Sequence, residues 1–171
     1  MKTYPSLLLA AALLAGGCQT APKPAASAAG GNITVTFQQP EKFTDVQEHF
    51  GSAPSQAYLD MIADHVKQRA AGLLADGQKL NVTFKNIDLA GDFEPAGRPG
   101  MEDVRLVKGI YLPRMSLHFA LTDATGAVVR EGDRELTDLN FQMNINPIGR
   151  SEPLFYDYEL LNRWLESEFK R

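Results

Sequence analysis

MSLHFALTDATGAVVREGDREL, residues 115–136, decides the fold class of this 171-residue chain. Met115, Leu117, Phe119 and Leu121 alternate with Ser116, His118 and Ala120, the period-two pattern of a strand with one buried face. Asp123, Ala124, Thr125 and Gly126 follow as a turn, with the glycine free to take a positive φ. Residues 128–136 return, so the stretch reads as an antiparallel hairpin.

Upstream the same signal recurs. Leu80, Val82 and Phe84 alternate, and Ile87 and Leu89 continue on the opposite parity, which one bulge between them reconciles. Residues 32–38 put Ile33, Val35 and Phe37 on one face and Thr34, Thr36 and Gln38 on the other, and Pro40 stops the run. Between these strands Tyr58, Leu59, Ile62, Val66, Leu73 and Leu74 recur at three and four, predicting an amphipathic helix of about twenty residues. Ser52 or Ser55 is its expected cap, Pro54 fits its first turn, and Asp76-Gly77 ends it. Residues 94–100 hold two prolines and two glycines and read as a loop. Residues 104–111 are apolar-rich and expected to be extended up to Pro113.

Downstream, Leu139, Phe141, Met143 and Ile145 alternate with Asn140, Gln142, Asn144 and Asn146. This predicts a further strand or extended arm with an amide-rich edge open to a partner strand. Ser151 is the expected cap of a last helix, with Pro153 just inside it. Leu154, Tyr158, Leu161, Leu165 and Phe169 are its stripe, with Trp164 beside them. Glu159 with Arg163 and Glu166 with Lys170 are spaced for i,i+4 pairs. The element order implies an α+β domain over residues 32–171, an antiparallel or mixed sheet with two helices packed on one face.

The first thirty residues follow other rules. Lys2 and an apolar run over residues 7–15 suit a secretory signal, and the run is too short to cross a bilayer. Ala15-Gly16-Gly17-Cys18 resembles the bacterial lipobox. That resemblance implies a signal peptide over 1–17, lipid on Cys18, and a membrane attachment that several acyl chains make effectively permanent. Gln19 in place of aspartate implies the outer membrane, facing the periplasm. Residues 18–31 are rich in Ala, Pro, Ser and Gly and read as a flexible tether. Cleavage near Ala26-Ser27-Ala28 is the alternative, leaving a soluble periplasmic protein.

The phrases VTF (35–37), PEKFTDV (40–46), IDLAG (87–91), LPR (112–114), LTD (121–123) and LTDLNF (136–141) resemble DUF3016, a proteobacterial family of unknown function. The resemblance supports the fold and the compartment. The family has no assigned activity, so it implies no chemistry.

Composition narrows function more than motifs do. Hydrophobic residues make 44% and charged residues 22%, ordinary globular usage. The formal charge is −4 with no basic block, which argues against nucleic acid. Cys18 is the sole cysteine, so no internal disulfide forms. His49, His65 and His118 lie in no metal or catalytic motif, and there is no G-x-S-x-G turn or P-loop. No cofactor is expected. Asp88, Asp92 and Glu94 form an acidic cluster that reads as solvated carboxylates sooner than a calcium site. Asp45, Arg114, Arg134 and Asp138 flank strand ends and turns, as structural ion pairs or as the lining of a ligand groove. The resulting expectation is a non-enzymatic envelope lipoprotein whose domain binds another envelope component. The alternatives are an envelope hydrolase using carboxylates assembled by the fold, and a small-ligand or metal-binding periplasmic protein.

Overall fold

A computed structural model describes residues 31–95, 100–143 and 152–170. The alternating stretches become strands β1 (Ile33–Phe37), β2 (Lys79–Asp88), β5 (Arg114–Thr122) and β6 (Val128–Thr137), in the spatial order β1-β2-β5-β6. Strands β5 and β6 form the expected hairpin, Met115 facing Leu136 and Leu121 facing Arg130. In its turn Asp123 Oδ1 accepts the Thr125 and Ala127 N–H groups at 2.8 and 3.1 Å, and Gly126 sits at φ +87°. β2 pairs antiparallel with β5, and β1 pairs parallel with β2, so the sheet is mixed. A parallel neighbour needs a crossover, and α1 (Gln56–Ala71) supplies it. The bulge falls at Lys85: Phe84 faces Leu117 and Asn86 faces Ser116, which lets Phe84 and Ile87 both point into the core.

Both helices join that core from one side of the sheet. Leu59, Ile62 and Val66 of α1 and Leu161, Trp164 and Leu165 of α2 (Phe155–Phe169) share one buried cluster with Val35, Val82, Leu117 and Phe119. Burying a Leu or Phe side chain is worth about 2–3 kcal/mol, so this layer dominates stability. The opposite face carries Thr34, Thr36, Thr83 and His118. β6 departs from the pattern, because opposite Leu121, Phe119 and Leu117 it places Arg130, Gly132 and Arg134. The Arg134 guanidinium lies 4.9 Å above the Phe119 ring and closes the core where the helices stop covering it.

Several expectations are corrected. α1 has 16 residues; Ser55 Oγ accepts the Tyr58 N–H at 3.3 Å, Pro54 precedes this cap, and Leu73 and Leu74 follow the helix. Of residues 104–111 only β4 (Arg105–Leu106) is a strand, pairing with β3 (Asp92–Phe93), because turns closed by Val104 N to Met101 O and Tyr111 N to Lys108 O interrupt the run. No strand forms over residues 139–143. Asp138 Oδ1 accepts the Asn140 N–H at 3.0 Å, and Phe141–Met143 winds into a 3-10 turn that buries Phe141 and exposes Leu139 and Met143. The rest of that expected arm, residues 144–146, and Ser151 lie outside the described residues. α2 starts after Leu154, at φ +63° with no side-chain cap, so Pro153 precedes the helix. The Glu166–Lys170 pair forms at 3.6 Å, whereas Arg163 bonds Asp138 instead of Glu159.

Candidate functional site

Beyond β1 the chain keeps following β2. Asp45 N–H donates to Ile87 O at 3.0 Å and Asp45 O accepts the Leu89 N–H at 3.2 Å, extending the parallel pairing past the strand's end. This fixes the Asp45 carboxylate beside β4. Arg105 grips it with both terminal nitrogens, Nη1 to Oδ2 at 2.5 Å and Nη2 to Oδ1 at 3.0 Å. The same guanidinium donates to Gly91 O at 3.1 Å and Gln47 O at 2.8 Å, and it stacks 4.6 Å over Phe93. Gly91 is required there: it sits at φ +85°, and a Cβ would meet Leu106 O at 3.0 Å. Burial pulls the Arg105 pKa down, but the Asp45 carboxylate outweighs it and the net shift is upward.

A groove of about 350 Å³ opens beside this clasp, with Asp45, Asp88, Asp92, Phe50, Tyr111 and Arg114 among its lining. Arg114 Nη1 stands 3.7 Å from Asp88 Oδ2, and burial is the first of the causes that raise the Asp88 pKa. Glu94 holds Lys108 at 2.5 Å and accepts the Tyr111 hydroxyl at 2.7 Å. Asp92 Oδ1 accepts its neighbour Phe93 N–H at 2.7 Å. Asp88, Asp92 and Glu94 thus turn to different partners, and among the described residues no three His, Cys, Asp or Glu side chains gather as metal ligands.

On the far side of Arg105 lies a second recess of about 170 Å³, lined by Tyr58, Tyr156 and Asp157 among others. Asp157, in the first turn of α2, is buried and accepts the Ala90 N–H at 3.1 Å. Burial raises its pKa to about 7, against the lowering effects of that hydrogen bond and of Arg105.

The four polar residues singled out in the sequence do not converge. Asp45 and Arg114 share the groove. Arg134 binds Glu168 through Nε and Nη2, both at 2.9 Å, and Asp138 bonds Arg163, so this second pair lies along α2. His65 bonds Asn162 at 2.9 Å and stacks on Tyr158 at 4.1 Å, where burial lowers its pKa. His118 and Lys85 share Asp133 Oδ1 on the open sheet face. Cys18 lies outside the described residues.

Arg105 and Asp157 were not singled out from sequence. Asp157 had a readable signal, since it lies four residues before Leu161 and so on the apolar stripe of its helix. Arg105 had none, because its acceptors, on Asp45, Gln47 and Gly91, lie on two segments distant from it in sequence.

These features define a small α+β protein with a mixed sheet, two helices on one face and an ion-paired groove at one sheet end. The family model described as "Protein of unknown function (DUF3016)" matches residues 31–167, and the chain belongs to that family. No curated protein and no solved structure matches it.

Proposed function

We propose that this DUF3016 protein is an envelope lipoprotein, lipidated on Cys18, whose domain is a non-enzymatic binding module for another envelope component. The observation that carries the binding reading is the groove, a recess with Phe50 and Tyr111 on its walls and with Asp45 and Asp88 each paired to an arginine. Asp45 is held by Arg105, Asp88 faces Arg114, and Thr44, the groove's aliphatic hydroxyl, bonds Asn86 Oδ1 at 3.2 Å rather than a base. Such pairing spends these groups on shaping the recess. The lipobox and the tether over residues 18–31 support the anchor, and Gln19 supports the outer membrane facing the periplasm.

Two measurements test the proposal. Mass spectrometry of the mature N-terminal peptide from cell membranes is expected to show an acylated Cys18. An unmodified terminus beyond Cys18 overturns the anchor and leaves a soluble periplasmic domain. In-cell crosslinking from groove positions is expected to yield a reproducible envelope adduct that is absent from sites on the open sheet face; equal capture from both faces overturns the binding reading.

A second reading, an envelope hydrolase, is favoured by the three carboxylates sharing one groove and by the raised pKa of Asp88. It predicts turnover of cell-wall fragments or phospholipid that Asp88→Asn abolishes while the chain stays folded. Identical traces with and without the protein dispose of it.

A further inference from the structure

Six of the eight exposed large apolar side chains among the described residues lie at the groove end of the sheet. Ile110 and Phe50 line the groove itself and are 73% and 53% exposed. Val104 and Val107 flank β4, and Gln142 donates to Val107 O at 3.1 Å, which brings the turn bearing Leu139 and Met143 alongside. Scattered apolar residues need no explanation, but a gathered set beside a recess marks an interaction surface. The lining is also net negative, with Asp45, Asp88 and Asp92 against Arg114. Asp92 has no cation within ion-pair distance among the described residues, and Asp88 has only Arg114 at 3.7 Å, itself largely exposed.

The sheet register says where this surface points. β1 starts at Ile33 opposite Leu80, whereas the groove begins at Asp88 on the same strand β2. Eight residues at about 3.3 Å each separate them by about 25 Å. On the proposed anchoring, a tether leading into Ile33 enters at the opposite end of the sheet from the groove.

We infer that the groove end is a membrane-distal docking surface for an extended peptide segment of another protein, one carrying a Lys or Arg flanked by apolar side chains. The inference rests on the proposed anchoring for its orientation and on the groove for its chemistry. The cation of the partner meets Asp92 and Asp88, and its apolar side chains lie against Ile110 and Phe50. Anionic phospholipid headgroups are the wrong match, because the same two carboxylates repel them.

The test uses the full mature chain and three labelled octapeptides in which Leu alternates with Lys, Glu or Ser, read by fluorescence anisotropy. The Lys peptide is expected to bind about tenfold more tightly than the Glu peptide, with a preference that shrinks as salt is added. Ile110→Ser and Asp92→Asn should each weaken it about fivefold or more. Both sites are exposed, and asparagine keeps the oxygen that accepts the Phe93 N–H, so folding is preserved. Val129→Ser, at the tether end, should change nothing. Equal binding of the Lys and Glu peptides overturns the inference. So does a loss on Val129→Ser as large as that on Ile110→Ser, or a photo-crosslinker at position 110 that labels phosphatidylglycerol vesicles in preference to the peptide. An acylated Cys18 with no Lys preference sinks this inference alone, while a Lys preference on an unacylated chain sinks the anchor and the membrane-distal orientation and leaves the peptide chemistry of the groove standing.

Discussion

Two arginines grip carboxylates with paired hydrogen bonds, Arg134 midway along the outer strand β6 and Arg105 at the groove end, and their surroundings differ. Arg134 on β6 holds Glu168 across the exposed margin of the core and covers the Phe119 ring. It adds to a region that strand pairing and helix packing already hold. Arg105 holds Asp45, two backbone carbonyls and the Phe93 face where the chain is mostly turns, with side-chain exposures of only 18% and 15% across the pair. There the ion pair stands in for missing secondary structure. The same chemical pair is thus a surface reinforcement in one place and an organising centre in the other.

The largest expected difference is in pH dependence, through Asp157 behind Arg105. The folded-state pKa of Asp157 is about 7, against an ordinary aspartate value near 4. Between those values the folded chain binds more protons than the unfolded chain, so this group makes stability fall as pH rises from about 4 to about 7 and then level off. The span amounts to roughly 4 kcal/mol. Asp157→Asn should remove that slope in urea titrations run across the range, and an unchanged slope would break the contrast between the two arginine sites.

Next in size is Arg105→Ala, which strands a part-buried carboxylate and two carbonyls and is expected to cost about 3 kcal/mol in chemical denaturation. Arg134→Ala should cost less, about 1 kcal/mol, chiefly lost cover over Phe119, because the arginine is itself about a third exposed and Glu168 keeps Arg130 as a second partner. Equal losses at the two arginines would show that the loops of the groove end do not depend on the clasp.

A finer probe is Gly132. A Cβ there would stand 2.8 Å from Arg134 Nη1, so the glycine leaves room for the arginine to lie across the strand. Gly132→Ala should destabilise by about 0.5 kcal/mol in the wild-type chain and stabilise by a similar amount in the Arg134→Ala background. The smallest effect belongs to Lys85→Ala on the open face, where the Asp133 pair is solvated and the thermal midpoint should not move measurably.

The groove's parts were unevenly visible beforehand. Asp45 and Arg114 stood out beside strand ends, but their partners Arg105 and Asp88 are 60 and 26 positions away in sequence, and no local pattern joins them. The expected strand over residues 139–146 shows the opposite failure. Its alternation was genuine, yet over the described residues 139–143 a single buried residue, Phe141, and the Asp138 cap make a turn.

From the amino-acid sequence alone follow the α+β class, the β5–β6 hairpin, the bulge in β2, the two amphipathic helices and membership of DUF3016, because each is written in the spacing or wording of neighbouring residues. Only the tertiary structure decided that β1 runs parallel beside β2, that Arg105 clasps Asp45 beside the groove, and that the surroundings of Asp157 raise its pKa. Those outcomes depend on which distant segments meet and on how much water their meeting excludes, and neither quantity is encoded at any single stretch of the chain.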